Sequence, residues 1–441
     1  METPSYHADA GLYSIKYCAP TSRSSFLPTY SSKTGSQLSA MYTLPIPRLK
    51  GVVEQIVPDA TLESVHEIPS THITRLYNLN VSGSRQLLLS LQPTLAVRLL
   101  RNEQALMLCE ANLLHYLSEK PTGSGIKPPP EEESSSGSLL SSLLPKMLKH
   151  SSTTKEMGYP YTIFEQVSGS PLSSQSIYLT VPERRHVDKQ IGTLVRDLAL
   201  ITSPTSTFGP VLKVSGNPFP VQGAASGAGA EGGVETWSLA FDALAESILR
   251  DGEDMSVLLP YEVIRRHFSR LSWRLNAVTI PRLTLPDAGD DAVVLVERRL
   301  EEGPLSPEES VRVTGLRHWS RGVFGDPLMA SCFENPSEDF SAGWKGEDDD
   351  DLIEDLEGAS TRMLLYRCYR AIVDIVIEYY RPRNESSRFE MDARKRLTAA
   401  LTELETVDLD GNQTPKRSRT ESMAAAGMTT GKKVKVESDE E

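Results

Sequence analysis

The stretch from Leu62 to Gln92 limits the fold more than any other part of this chain. It reads as three short strands: "ESVHEI", the loop "PSTHIT", "RLYNLNV", the turn "SGSR", then "QLLLSLQ". A Ser-Gly-Ser turn between alternating or apolar runs signals a hairpin. Directly after it comes "VRLLRNEQALMLCEANLLHYLSEK", a helical pattern. Leu99, Glu103, Leu106, Glu110, Leu113 and Leu117 recur there at steps of four and three residues and share one face. Two acids on an otherwise apolar face call for partners.

Further along, "YPYTIFEQV" reads as a buried strand and "TVPERRHVDKQIGTLVRDLALIT" as a helix. Thr180 and Glu183 form a capping-box pair there, and Pro182 sits in the tolerated first turn. "ETWSLAFDALAESILRD" and "PYEVIRRHFSRLSWRLNAV" are amphipathic helices, and "AVVLVE" with "VRVTGL" reads as a hairpin with an enlarged tip. Helices then cover roughly 360–380 and 387–405, broken at Pro382. A small antiparallel sheet with one helix, followed by a mainly helical half, is an α+β order with two lobes, not an alternating parallel sheet. The expected divisions are a disordered arm over 1–50 and a first lobe over 55–164 carrying a disordered insertion at 120–157. A helical lobe over 165–405, with loops at 204–233 and 341–358, and a disordered charged tail over 406–441 complete them.

A net charge of -13 argues against a general nucleic-acid binder or a ligand for anionic membranes. No apolar run approaches the roughly 18 residues that span a bilayer. Cys18, Cys109, Cys332 and Cys368 are widely spaced, so no zinc motif exists, and a reduced intracellular setting is expected.

Three stretches carry a family resemblance: "YPYTIFEQVSGSPL", "RLTLPDAGDDAVVLVE" and "VTGLRHWSRGVFGDPL". In that order they resemble the aminoglycoside phosphotransferase/choline-kinase-like family, in its fungal branch, over about 55–380. The resemblance implies a protein-kinase-like two-lobed fold with ATP between the lobes. "YPYTIFEQVSGSPL" resembles the hinge, which would put Glu165 and Val167 beside the adenine. "RLTLPDAGDDAVVLVE" resembles the catalytic segment, with Asp287 at the position of the base. "VTGLRHWSRGVFGDPL" resembles the segment that supplies a magnesium-binding acid.

Phosphoryl transfer needs a cation on the phosphates, oxygen ligands for magnesium and a base near the attacking hydroxyl. Compared with the family pattern, the third-strand lysine reads Ser90, and Glu110 takes the place of that lysine's acidic partner or is simply a surface acid of its helix. The histidine before the base reads Leu285, the asparagine ligand reads Ala292, and the metal-binding acid reads His318. Magnesium prefers oxygen, so imidazole is a poor replacement. Asp290 and Asp291 either offer oxygens instead or belong to a solvated turn. His72, in a loop without glycine, either meets a phosphate or is a plain surface residue. Asp326 with Pro327 has a structural reading: an aspartate cap with proline at the first helical position.

The departures lead to an impaired, pseudokinase-like protein that acts by binding, with Ser90, Glu110, Asp287 and His318 facing one cleft. No metal ligand set and no cofactor are expected; ATP and magnesium would be needed if the chain is active on an alcohol. A protein partner suits the first case. Finally, "TPKRSRTES" and "TGKKVKVESDEE" carry two basic clusters that suit a nuclear import receptor or are merely solvated, so a nuclear or nucleocytoplasmic location is expected.

Overall fold

Strand β3 (Arg85–Leu91) shows how the sequence builds the first layer. Leu87, Leu89 and Leu91 alternate onto one face and are buried there, while Leu88 and Ser90 turn to the other. The computed structural model describes residues 44–68, 73–94, 96–119, 139–219, 232–299, 306–346 and 351–407. Strands β1 (Leu62–Ile68), β2 (Arg75–Val81) and β3 form the expected meander, and Gly83 and Ser84 take positive φ in the turn between β2 and β3. With β4 (Met147–Ser151) and β5 (Tyr161–Glu165) they make an antiparallel sheet in the order β1-β2-β3-β5-β4. Helix α1 (Ile46–Ile56) precedes it and buries Leu49, Val52 and Val53.

Several expected boundaries move. The arm expected over 1–50 includes the start of α1. The helix expected from Val97 begins only at Leu106, as α2 (Leu106–Glu119), after a separate 3-10 turn at Arg101–Glu103. Glu103 causes that break: its carboxylate folds back to accept the N–H of Leu100 at 2.9 Å. The insertion expected over 120–157 is structured from Leu139 onward. Helix α3 (Leu139–Leu143) buries Leu140 and Leu143, and β4 is the edge strand beside β5. The loops expected at 204–233 and 341–358 likewise contain short elements, as described below.

The second part of the molecule is mainly helical: α4 (Val181–Ala199), α5 (Trp237–Asp254), α6 (Tyr261–Leu275), α7 (Glu338–Lys345), α8 (Leu356–Tyr380) and α9 (Ser386–Glu405). The capping box of α4 forms as read: Thr180 N–H and hydroxyl reach the Glu183 carboxylate at 2.7 and 2.9 Å. Burial opposes that charge, but the bonds from Thr180, Arg298 and Ser310 prevail and lower its pKa to about 2. Helices α4 and α7 cross closely enough that a methyl on Gly192 would strike the Phe340 carbonyl, and one on Gly343 the Lys189 carbonyl. One apolar core runs from Leu113, Leu114 and Phe164 through these helices to Leu404.

Two small sheets lie among the helices. The hairpin of β9 (Val294–Arg298) and β10 (Val311–Leu316) pairs with β6 (Ser170–Pro171) just beyond β5. β7 (Gly209–Pro210), β8 (Arg282–Thr284) and β11 (Val323–Gly325) form the second sheet, in the order β7-β11-β8. Asp326 follows β11 and caps the turn Pro327–Met329 by accepting Leu328 N–H at 3.1 Å, as expected. Its other oxygen accepts from Arg362 Nε and Tyr366 OH, both at 2.8 Å, and Trp237 Nε1 donates to that same hydroxyl at 2.7 Å. Arg362 is 0% exposed. This buried node joins β11, α5 and α8.

Candidate functional site

The segment Arg317–Arg321 links β10 to β11 and gathers most of the candidate residues around it. Trp319 anchors it: the indole is buried and its Nε1 donates to Leu316 O at 3.1 Å. The Trp319 backbone N–H in turn donates to the Glu110 carboxylate on α2. Withdrawal from water pushes Glu110 up to about 7 despite that bond. Glu110 is therefore a clasp between α2 and this segment, not a surface acid.

His318 lies close enough to Asp287 to feel its charge, but burial dominates and lowers the imidazole to about 4, with Arg321 and Arg317 adding to the effect. It is a neutral ring at physiological pH. Arg321 Nη1 donates to Asp287 Oδ2 at 3.1 Å, and its Nη2 reaches Glu103 Oε1 at 3.4 Å. Glu103 is 2% exposed and also receives both ends of the Arg381 guanidinium, at 2.6 and 2.8 Å. Asp287, Arg321, Glu103 and Arg381 thus form one chain of alternating charge. Glu103 was legible as an acid on an apolar face; Arg321 and Arg381 were not singled out in the sequence. Their only signal was that such an acid must find a cation.

Ser90 belongs to the first sheet. It sits in β3 opposite Leu76 and Thr162, is 2% exposed, and its hydroxyl has no hydrogen-bond partner among the described residues. Thr162 uses its own hydroxyl with His150 Nδ1 at 2.8 Å. The Glu165 carboxylate faces away, paired with Arg85 at 2.5 Å and Lys146 at 3.0 Å. Val167 packs on the β9–β10 hairpin: a methyl on Gly315 would lie 3.2 Å from Val167 Cγ1. Thr314 Oγ1 ties the next residue down by donating to Ser168 O at 2.6 Å. His72 lies outside the described residues.

A magnesium-bound nucleotide would require free carboxylate oxygens and a cation at the third strand. Asp290 Oδ1 instead accepts Ala292 N–H at 2.8 Å, which is turn chemistry, and Asp291 is bonded to Arg184 at 2.8 Å. Asp287 is taken by Arg321. No group of three His, Cys, Asp or Glu among the described residues converges as a metal site. The residues present do not fit that ligand.

No family model matches the chain, and no curated protein sequence matches it. Several solved structures resemble it. A proposed fructosamine-3-kinase from Thermobifida fusca has 14% identity over 80% of this chain and 98% of its own, with a TM-score of 0.47. An aminoglycoside 2'-phosphotransferase in complex with GDP has 12% identity over 81% and 97%, with a TM-score of 0.46. A choline kinase from Cryptosporidium parvum has 9% identity over 81% and 94%, with a TM-score of 0.43. No helix among the described residues is long and apolar enough to cross a membrane.

Proposed function

We propose that the chain is a non-catalytic protein of the small-molecule phosphotransferase kind, kinase-like in fold, that acts by binding. One observation carries the reading: the candidate base, Asp287, is bonded to Arg321, and Arg321 is anchored through Glu103 to Arg381. A base has to offer a free oxygen to the attacking hydroxyl. Here one of the two Asp287 oxygens, Oδ2, already accepts from the Arg321 guanidinium, which Glu103 holds in place. The loss of a cation at Ser90 and of an oxygen ligand at His318 points the same way.

The direct test is turnover of ATP with magnesium, using the purified full chain and aminoglycosides, choline or related alcohols as acceptors. No product is expected, and a thermal scan with ATP and magnesium should show no saturable shift, because only a ligand that binds the native state stabilises it. Turnover that disappears in Asp287→Asn would overturn the reading and make the chain an ATP- and magnesium-dependent phosphotransferase.

A second reading, action inside the nucleus with a protein partner, is favoured by Lys416, Arg417, Arg419, Lys432, Lys433 and Lys435, which lie outside the described residues. An import receptor reads such clusters as extended chain. A fluorescent fusion should be nuclear, and the same fusion with all six changed to alanine should not. Equal distribution of the two would remove this reading.

A further inference from the structure

The end of the described chain lies beside α6, and its contacts give it a direction. Arg394 Nη1 donates to Leu258 O at 2.7 Å, Arg266 Nη2 to Glu405 Oε1 at 3.3 Å, and Arg270 Nη1 to Val407 O at 2.9 Å. The numbers on both sides rise together, so α9 runs alongside α6 in the same direction. Val407 is the last described residue. Trp273 stands three residues past Arg270, on the same side of α6. A chain continuing the line of α9 therefore meets Trp273.

Trp273 opens an apolar patch. Of the four tryptophans, Trp237, Trp319 and Trp344 are buried, whereas Trp273 is 40% exposed. The Arg274 guanidinium lies 4.2 Å from its ring centroid and reaches Asp355 at 3.8 Å. Leu356, the next residue, is 61% exposed. Ile280 is 38% exposed, and its N–H donates to Glu354 Oε2 at 2.9 Å. Large apolar side chains grouped in water mark a contact surface. The charge beside them is one-sided: residues 347–357 hold eight acids and no lysine or arginine. Two of those acids, Asp351 and Glu357, are exposed among the described residues.

We propose that this patch is the docking surface for the chain's own tail, with Lys416, Arg417 and Arg419 set against Asp351 and Glu357 over Trp273 and Leu356. Charge and reach both select this occupant. The cluster carries three positive charges within four residues. Nine residues separate Val407 from Lys416, enough to span about 30 Å when extended, and Trp273 lies about 5 Å along α6 from Arg270. A tether of this length keeps the cluster at about millimolar effective concentration, so modest contacts suffice to hold it. Docked there, the cluster is closed to an import receptor. That consequence rests on the nuclear reading; the docking itself does not.

The experiment is acrylamide quenching of tryptophan fluorescence in the full chain at low salt. Acrylamide is neutral, so altered charges do not change its approach. In wild type nearly all the emission should be protected. In Lys416→Ala/Arg417→Ala/Arg419→Ala a quenchable fraction of about one tryptophan in four should appear. The same fraction should appear in wild type at about 1 M salt, where the Debye length is about 3 Å. Trp273→Phe should abolish it, which assigns the signal. Glu357→Lys should release part of it with the cluster intact. Equal quenching of wild type and the triple-alanine chain, or no change in Glu357→Lys, would overturn the proposal. Protection that strengthens with protein concentration would overturn it in favour of the tail of a second copy. Such failures leave both functional readings intact, whereas equal distribution of the two fluorescent fusions would remove the nuclear reading and leave the docking standing.

Discussion

Replacing Glu110 by Gln should stabilise the protein in alkali and do little in acid. The glutamine oxygen can still accept the Trp319 N–H, so the clasp between α2 and the 317–321 segment survives while the charge goes. Glu110 has an ordinary value of 4.5, and burial raises it to about 7. Because the folded protein holds this proton more tightly than the unfolded chain, the stability it contributes is complete below pH 4.5. It is lost as pH rises through about 7. That displacement corresponds to about 3 kcal/mol by pH 8, but to less than about 1 kcal/mol at pH 5. His318 and His150 act in the opposite sense: burial lowers both to about 4, so their contribution is present above their ordinary 6.5 and lost as pH falls through about 4. Wild type alone therefore mixes opposing slopes, and the difference between variant and wild type isolates Glu110. Scans at pH 5, 6, 7 and 8 should show that difference in Tm growing with pH, by roughly 5 °C across the range. A constant difference would mean that Glu110 ionises as it does in water and that the clasp is not buried.

Two further outcomes test the packing. Arg362→Met leaves the buried Asp326 carboxylate without its cation and should cost about 3–5 kcal/mol, while adding Asp326→Asn should recover part of it; equal loss in both proteins would show that Arg362 acts through its contacts with the 354–355 backbone instead. Gly192→Ala should destabilise by about 1–3 kcal/mol, because the added methyl has to part α4 from α7, and an unchanged denaturation midpoint would show that this crossing is loose.

The strands of the first sheet, the α4 capping box and the β9–β10 hairpin were legible because each rests on local chemistry. Alternation, a capping pair three residues apart and a turn signal all lie within a few residues of one another. The break before α2 was not legible: the periodicity of Leu99, Glu103 and Leu106 is helical, and only the Glu103 carboxylate folding back on Leu100 ends the pattern. β4 was hidden for a related reason. "MLKHS" has no strong alternation, and it becomes a strand because β5 offers an open edge. In the site, Asp287 acts on His318 and Glu110 accepts the N–H of the next residue, Trp319. Ser90 occupies the sheet, with its hydroxyl shut away from water. The partners of the acids, Arg321 and Arg381, come from positions 218 and 278 residues away from Glu103, which no local pattern encodes.

Asp326 and His318 stand on either side of β11 and meet different demands. Asp326 holds a helix-cap bond, a buried guanidinium and a tyrosine hydroxyl at once, so its replacement leaves three groups to find new partners, although Arg362 keeps Asp355. At His318 burial keeps the ring neutral, and the segment around it is fixed by Trp319 and by the Glu110 clasp. A metal-binding acid at that position would stand beside Asp287, where a second negative charge is unfavourable without a cation between them. The arginine bound to Asp287 and the neutral ring of His318 belong to one electrostatic arrangement. His318→Asp should therefore lower Tm, because the new carboxylate would be withdrawn from water beside Asp287, and an unchanged Tm would refute this account.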